Sequence, residues 1–521
     1  MAEGVLDPLE TGAGWGRWRW PLTLLVAAAI LMGVVLRFVA GSPLWLDEAL
    51  SVNIASLPLG EISDALRLDG HPPLYYLLLH GWIDLFGTGP VAVRSLSGLW
   101  SLGLLPLTWV AARRLGGTRV AWYATALLAV SPFAIRYGTE TRMYAMVSVL
   151  ALATWLLVDD ALDRPAPGRL VAIAALTATM LWTHYWALWL LAAAGIGLLV
   201  HAWRARRDGR GEDLAATAKV IGALVVGGLM FLPWVPTLLY QGSHTGTPWA
   251  GPLRPTEMVA NTVADLGGGS LPESVILGWL LAVAVMLGLF GRPTGRYTMS
   301  LDLRTRAEAR PFVILVAGTV AIACAVGYAT RATYATRYAA VFFPFIIVLA
   351  ALGLDRLRSR PIAVGALTVL LVLGGIGGIR SAAFDRSDAQ RSVDAITATG
   401  QRGDWVVYCP DQLGPSGSRL IGGGFEQVTY PRFGRPERVD WVDYKARLAE
   451  ASPQRFAEEL LMRAGGRTIF FVASSAYGTH KDSCREVYNA LAALGRVPED
   501  VSAPTGAYEP ASVVAFRVPA A

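Results

Sequence analysis

Charged side chains are scarce in this sequence, since only 16% of its 521 residues are Asp, Glu, Lys or Arg. Soluble domains carry about a quarter. Hydrophobic residues make up 54% of the chain, and the mean hydropathy is +0.44. This composition excludes a disordered chain and argues against a purely soluble enzyme. Cysteine is also scarce, and three cysteines in such a length exclude a disulfide scaffold.

Lysine is almost absent, because only three of the 45 basic residues are lysine. The formal net charge of +6 does not indicate nucleic acid, since membrane proteins collect arginine in their cytoplasmic loops. The chain also lacks a glycine-rich nucleotide-binding loop, because Gly267-Gly268-Gly269 follows no predicted strand. We therefore expect no nucleic-acid partner.

Long apolar runs are abundant, and a run of about 20 residues can cross the hydrocarbon core of a membrane as a helix. The first run is long for a signal peptide and no clear cleavage site follows it, so we interpret it as an uncleaved span. The predicted fold class is a polytopic α-helical membrane protein with about 11 transmembrane helices and a C-terminal soluble α/β domain. The runs lie at 20–40, 90–112, 120–136, 141–158, 168–183, 185–202, 217–239, 272–290, 311–329, 335–354 and 361–379.

Arginine placement predicts the orientation. With a cytoplasmic N-terminus, the five inside loops hold eighteen basic residues and the outside segments about seven. This asymmetry follows the positive-inside rule, and an odd number of spans puts the C-terminal region outside. We expect a multi-pass protein of the plasma (inner) membrane with an extracytoplasmic C-terminal domain.

The composition changes near residue 381, which predicts a transmembrane domain over 1–380 and a soluble domain over 381–521. Short strand-like runs and helical stretches alternate in the second part, as in a small α/β domain. Cys409 and Cys484 both lie there. They could form a disulfide in an oxidising compartment, or remain as two buried thiols.

Asp47 and Glu48 form an acidic pair directly after the first span. Ionisable groups at a membrane edge are costly and therefore candidates for a site. Close carboxylates shift each other's pKa, which suits general base chemistry or cation binding. The alternative is the acidic first turn of a helix, where carboxylates favour the positive end of the dipole.

The same outside segment continues as Asp69-Gly-His71-Pro72-Pro73. The prolines bar a helix through this point and set His71 at a turn before an amphipathic helix over 73–86. Such a helix can lie in the membrane interface. His71 is then either a ligand or a helix cap.

Further polar residues follow at later outside segments. Glu140 and Arg142 lie within Tyr137-Gly-Thr-Glu-Thr-Arg-Met-Tyr144, either as a mutual salt bridge or as an anion ligand with its orienting partner. Arginine suits phosphate because its planar fork gives paired, charge-assisted hydrogen bonds. Together these residues predict an acid/base site beside an anion site at the lipid surface, whose natural substrate is a lipid-linked phosphate. The other members of this set are His184, Tyr185, Arg337 and Tyr338.

The ordered motifs Trp45-Leu-Asp47-Glu48, His71-Pro-Pro-Leu-Tyr, Arg94-Ser-Leu-Ser, Tyr137-x-x-Glu-x-Arg-x-Tyr144, His184-Tyr185 and Arg337-Tyr338 resemble the GT-C glycosyltransferases. The resemblance is to the protein O-mannosyltransferase-like and aminoarabinose transferase-like group, families 39 and 83. It covers residues 20–350. The soluble tail resembles no family that we can name.

The resemblance implies an inverting transferase that uses a polyprenyl-phosphate sugar at the extracytoplasmic face. It implies that Asp47 is the catalytic base, and Glu48 would orient the acceptor or Asp47. Arg142, Arg337, His71 and Tyr338 are the expected phosphate and lipid ligands. Some relatives carry lysine where this chain has His71, which leaves the phosphate contacts open. Supporting roles fall to Glu140, Tyr144, His184 and Tyr185.

Several points stay open at this stage. A divalent cation is possible if Asp47, Glu48, Asp69 and His71 cluster, although no ligand spacing demands one. Mannose is the expected sugar, with arabinose or another pentose as the alternative, and the acceptor could be a glycan, a glycolipid or a protein. The rival functions are a lipid-linked substrate transporter or flippase, and a non-catalytic membrane scaffold.

Overall fold

The computed structural model describes residues 16–245, 254–330, 334–480 and 482–519, and most of them are helical. A short hairpin of β1 (Gly291–Pro293) and β2 (Met299–Leu301) connects two of the helices. The helices are α1 (Gly16–Leu36), α2 (Leu46–Ala55), α3 (Leu59–Asp69), α4 (Leu74–Phe86), α5 (Pro90–Val130), α6 (Pro132–Gly138), α7 (Tyr144–Asp163), α8 (Pro167–Thr183), α9 (Ala187–Arg207), α10 (Gly211–Leu229), α11 (Val235–His244), α12 (Pro255–Leu266), α13 (Pro272–Phe290), α14 (Arg310–Thr330), α15 (Phe343–Asp355) and α16 (Arg360–Ala383).

Seven helical segments among the described residues are long and apolar enough to cross a membrane. The predicted runs largely coincide with helices. Runs 90–112 and 120–136 fall on two helical parts that meet at Gly117, with φ 78°, and the second run continues into α6. The run 20–40 folds as α1, which has 21 residues, and the run 335–354 folds as a 3-10 turn followed by α15, which has 13 residues. The run 168–183 folds as α8, which has 17 residues.

Close backbone contact holds the helices around α15 together. A Cβ atom at Gly353 would lie 1.7 Å from the carbonyl oxygen of Ala284 on α13, and one at Gly288 would lie 2.3 Å from that of Leu349. Small residues let membrane helices approach in this way, and the approach replaces the hydrophobic driving force that lipid does not supply. The α13–α15 contact therefore depends on glycine.

Three short helices fill the segment between α1 and α5. Gly70 ends α3 with φ 92°, a left-handed cap, and the two prolines then separate α3 from α4. The predicted amphipathic helix over 73–86 is confirmed as α4, which buries Tyr75, Tyr76 and Leu79. Leu77, Leu78 and Leu85 on its other side are exposed. This segment brings the acidic pair and His71 to one end of the helix bundle.

The C-terminal part is an α/β domain with one five-stranded sheet, in the order β4-β3-β5-β7-β6. Strand β3 is parallel to β4 and β5, whereas β7 runs antiparallel to β5 and β6. Cys409 at the end of β3 forms a disulfide with Cys484 on α21, with a Cα–Cα distance of 5.6 Å. The elements are α17 (Ala389–Thr399), β3 (Trp405–Cys409), α18 (Gly414–Ser418), β4 (Glu426–Thr429), α19 (Tyr444–Glu450), α20 (Pro453–Ala464), β5 (Ile469–Ala473), α21 (Ser483–Ala493), β6 (Val497–Ser502) and β7 (Ser512–Arg517).

The sheet domain packs directly on α2. Leu46 and Leu50 of α2 share an apolar cluster with Val439 and Tyr444 of the domain. The backbone N–H of Trp441 also donates to the carbonyl oxygen of Leu68 at 3.2 Å. The helix that carries the acidic pair therefore lies between the helix bundle and the sheet domain.

Candidate active site

Asp47 lies in the first turn of α2 and forms an ion pair with Arg337. Oδ2 of Asp47 is 3.1 Å from Nη1 of Arg337, and 15% of the Asp47 side chain is exposed. Arg337 belongs to the 3-10 turn Thr336–Val341, which precedes α15. The fold thus joins the predicted base to a predicted phosphate ligand from a distant part of the chain.

Glu48 points the other way and is fully buried. Nε and Nη2 of Arg94 donate to its two oxygens at 2.8 and 2.6 Å, and Nη1 of Arg386 donates at 3.1 Å. The backbone N–H of Thr141 donates to the same carboxylate at 3.0 Å. Burial alone raises the pKa of Glu48, but the two guanidinium groups outweigh it and hold the pKa at about 2. With its lone pairs in use, Glu48 can orient Asp47 through α2 but has no free oxygen for an acceptor.

Arg142 is nearly inaccessible and is held by a chain of polar groups. Its Nη2 donates to Nε2 of His71 at 2.7 Å, and its Nη1 donates to the hydroxyl of Tyr76 at 3.1 Å. Nη1 also lies 3.4 Å from the carbonyl oxygen of Asp47. Arg142 and Arg337 therefore approach the same residue of α2 from two elements.

His71 connects Arg142 to Asp69. Its Nδ1 lies 2.9 Å from Oδ2 of Asp69, and Tyr76 donates to the same oxygen at 3.0 Å. Because the guanidinium can only donate, Nε2 of His71 must accept, so the neutral ring carries its proton on Nδ1. Burial and Arg142 lower the pKa of His71, in keeping with this tautomer. His71 therefore connects Arg142 to Asp69 through its ring, and it also lies at the turn that the prolines predict.

Aromatic rings surround Arg337. Its guanidinium lies 5.9 Å from the ring centre of Tyr338, which stacks on Trp186 at 5.0 Å. His184 contacts Tyr338 at 5.6 Å between ring centres, and its Nδ1 accepts from the backbone N–H of Trp186 at 3.1 Å. The structure therefore brings His184 and Tyr338 together on the side of Arg337.

Of the two arrangements left open for Glu140 and Arg142, the mutual salt bridge is not formed. Oε2 of Glu140 lies 3.2 Å from Nε of Arg136, one helical turn earlier, and the Arg136 guanidinium lies over the ring of Tyr508 at 5.1 Å. Burial raises the pKa of Glu140, with Arg136 opposing the effect. The salt bridge does not form because α6 ends at Gly138 and α7 begins at Tyr144, and in the segment between them Arg142 bonds to His71 whereas Glu140 pairs with Arg136.

The two remaining predicted residues differ in position. Tyr144 is buried between Tyr137 and His184, and its hydroxyl has no hydrogen-bond partner among the described residues. Tyr185 instead bonds to Gln241 and accepts from Nε1 of Trp234 at 2.8 Å. Tyr185 therefore supports the packing of α11 and does not join the group around Asp47.

Two residues of the site come from the C-terminal part and carry no motif that the sequence could have revealed. Arg386 is fully buried and bonds to Glu48 and to Thr139, at 2.6 Å from the Thr139 hydroxyl. Oε1 of Glu509 accepts from the backbone N–H of Leu46 at 3.2 Å, directly before Asp47. The sheet domain thus fixes the start of the helix that bears the candidate base.

The structure does not gather a cation site from the suggested residues. Asp47 is engaged by Arg337, Glu48 by Arg94, and Asp69 by His71. Across the described ranges, no group of three or more His, Cys, Asp or Glu side chains could hold a metal ion. The side chains around Asp47 fit an anion better than a metal, because they are mainly arginine.

Comparison with known proteins is consistent with this geometry. Residues 70–235, which include His71, Arg142 and His184, match the family described as dolichyl-phosphate-mannose-protein mannosyltransferase. No curated protein shows significant sequence similarity to the chain.

Solved structures match over almost the whole chain. ArnT from Cupriavidus metallidurans in the apo state is 16% identical with a TM-score of 0.59, and the match covers 95% of this chain and 98% of that one. The same protein bound to undecaprenyl phosphate gives 15% identity and a TM-score of 0.58, with the same coverage. An oligosaccharyltransferase from Archaeoglobus fulgidus, in complex with Zn and sulfate, is 11% identical with a TM-score of 0.50, covering 95% of this chain and 74% of that one. The chain therefore has the GT-C fold, which it shares with the ArnT and oligosaccharyltransferase structures.

Proposed function

We propose that the protein is an inverting glycosyltransferase that moves a sugar from a polyprenyl-phosphate donor to a hydroxyl group of a cell-envelope acceptor. The observation that carries the proposal is the contact between Asp47 and Arg337, with Arg142 against the same residue. The carboxylate of Asp47 lies beside Arg337, and Arg142 approaches the backbone carbonyl oxygen of the same residue, so that a base and an anion site lie close together. The likeness to ArnT, whose structure is known with undecaprenyl phosphate, supports a lipid-linked phosphate as donor.

The reaction then needs one displacement. Asp47 accepts the proton of the acceptor hydroxyl. The oxygen of that hydroxyl forms a bond to the anomeric carbon as the bond from this carbon to the phosphate oxygen breaks. The electron pair of that bond stays on the phosphate, which leaves as polyprenyl phosphate next to Arg142 and Arg337. General base catalysis contributes roughly 10²–10⁴-fold to such a step. A single displacement inverts the configuration at the anomeric carbon.

We place the reaction at the extracytoplasmic face of the plasma (inner) membrane. The support is the excess of arginine in the loops that lie on the opposite side from Asp47, together with the disulfide between Cys409 and Cys484. Disulfides persist in oxidising compartments. The acceptor is a glycan, a glycolipid or a protein.

The sugar is proposed to be mannose, because the matched family segment is that of mannosyltransferases. Arabinose or another pentose is the alternative within the same fold. The test is a transfer assay with the full-length protein in nanodiscs, offering polyprenyl-phosphate mannose or polyprenyl-phosphate arabinose with alkyl glycosides as acceptors. Product configuration is read by NMR.

We expect turnover of the mannose donor with inversion. Turnover of the arabinose donor alone would show that the sugar is not mannose, while the protein would still be a polyprenyl-phosphate-dependent glycosyltransferase. Retention of configuration at the anomeric carbon would contradict the single displacement. If neither donor binds or reacts, the transporter and scaffold functions become the better explanation.

A further inference from the structure

A cavity of about 350 Å³ lies where the sheet domain meets the short helices of the outside segment. Ile54 of α2 and Asp69 of α3 line one wall. The opposite wall is the loop between β4 and α19, together with the start of α19. The volume is within the range of small-molecule sites, which is about 300–1,000 Å³.

Three arginines of the loop face this cavity without a partner. Arg432, Arg435 and Arg438 line it and are exposed, and none of their side chains forms an ion pair or hydrogen bond with another described residue. Arg447, in the same lining, differs because its Nη1 bonds to Asp440 at 2.9 Å. The cavity lining therefore carries three guanidinium groups that are not engaged by any other described residue, beside the carboxylates of Asp69, Asp411 and Asp440.

The floor of the cavity is a fixed polar group. The hydroxyl of Tyr444 donates to Asp411 at 2.5 Å and lies 2.7 Å from Nε2 of His480, whose ring is almost fully buried. Asp411 follows Cys409 closely, so the disulfide to Cys484 braces this group. Carboxylate oxygens next to arginines suit a ligand that has both hydroxyl groups and negative charge.

The cavity adjoins the candidate active site through Asp69. This residue lines the cavity, and its Oδ2 bonds to His71, which in turn bonds to Arg142. Ile54 of the lining lies on the same helix as Asp47. A ligand in the cavity therefore contacts the two helices that build the site.

We propose that this cavity binds the acceptor, and that the acceptor is a glycan that carries phosphate or carboxylate groups. The inference rests on the proposed transferase function and specifies its second substrate. Arg432, Arg435 and Arg438 bind the anionic groups, while Asp411 and Asp440 accept hydrogen bonds from sugar hydroxyls. An anionic membrane surface is a poorer match, because the carboxylates that line the cavity among the arginines suit the hydroxyl groups of a sugar, which a surface of lipid phosphates presents less densely.

The test is calorimetric binding to the full-length protein in phosphatidylcholine nanodiscs. The probes are hexagalacturonate and a phosphorylated mannooligosaccharide, with neutral maltohexaose for comparison. The variant R435A/R438A removes two cavity charges. Its matched control is R402A/R455A, which removes two exposed arginines of the same domain that do not line the cavity.

We expect the anionic probes to bind the wild type and the control alike, and R435A/R438A to bind them on the order of tenfold more weakly or worse. Maltohexaose should not bind measurably. The proposal is overturned if neither anionic probe binds the wild type, or if the two double variants weaken binding equally. It is also overturned if the same arginines instead bind phosphatidylglycerol vesicles and no glycan.

Binding and transfer can fail separately. If the probes do not bind but the protein still transfers sugar in a manner that depends on Asp47, the cavity proposal is wrong and the transferase stands. If the probes bind but neither sugar donor reacts, the cavity is an anionic glycan site. The proposals that the protein is a transferase and that the glycan is its acceptor are then both wrong.

Discussion

Two adjacent carboxylates in this protein have opposite surroundings. Asp47 is partly exposed and, in the part of the chain that the structure describes, pairs with Arg337. Glu48 is inaccessible and pairs with Arg94 and Arg386. A proton acceptor must reach a substrate, whereas a carboxylate with several buried donors is held ionised and fixed in place. The pair therefore divides into a candidate base and a positioning residue.

Replacing Glu48 with Gln tests the positioning role through stability. The variant leaves Arg94 and Arg386 buried without a countercharge, and breaking a buried pair in this way costs about 3–5 kcal/mol. We expect a large drop in the thermal midpoint of the detergent-solubilised protein. Glu61→Gln, an exposed acid in the first turn of α3, should cost less than about 1 kcal/mol. Equal midpoints for the two variants would contradict the role.

Sequence alone singled out most of these side chains as candidates but did not show how they pair. The acidic pair, His71, Arg142 and Arg337 stand out because charge is rare in an apolar chain. Arg386 does not stand out in the sequence, because it lies in a segment where charged residues are common. Partners depend on long-range folding, which no local spacing encodes.

Helix α2 is the element on which the site depends, and the sheet domain controls its start. Glu509 accepts from the backbone N–H of Leu46 and from the hydroxyls of Ser387 and Tyr477. Burial raises the pKa of Glu509 to about 7, although these three donors oppose the effect. Its ionisation therefore falls within a physiological pH range.

The sign of the pH effect follows from the raised pKa. Between the ordinary carboxyl pKa of 4.5 and the folded value of about 7, the folded state binds more protons than the unfolded state. The contribution to stability is complete below pH 4.5 and is lost as the pH rises through 7. Glu509→Gln removes this dependence because an amide does not titrate.

We expect the thermal midpoint of the wild type, relative to that of Glu509→Gln, to fall between pH 5 and pH 8. Glu450→Gln is the matched control, because Glu450 is exposed in the same domain. Its midpoint should follow that of the wild type throughout. A difference between the wild type and Glu509→Gln that does not vary with pH would show that Glu509 does not change its protonation in this range.

The whole chain combines an apolar helix bundle with a sheet domain that closes over one end. The apolar runs predicted the helices well, because hydropathy reports directly on burial in lipid. Two neighbouring runs fall on the two parts of α5 that meet at Gly117, and the last run but one forms a 3-10 turn followed by the short helix α15. The alternation of short strands and helices predicted an α/β domain. The packing of this domain on α2 could be seen only in the three-dimensional structure.

The base role of Asp47 can be tested with Asp47→Asn beside Asp64→Asn, which removes an exposed charge from the same segment between α1 and α5. The measurement is the single-turnover rate of sugar transfer, together with binding of polyprenyl phosphate to the same preparations. We predict that Asp47→Asn lowers the rate roughly 10²–10⁴-fold with phosphate binding retained, and that Asp64→Asn changes neither. A transfer rate for Asp47→Asn equal to that of the wild type would contradict the account.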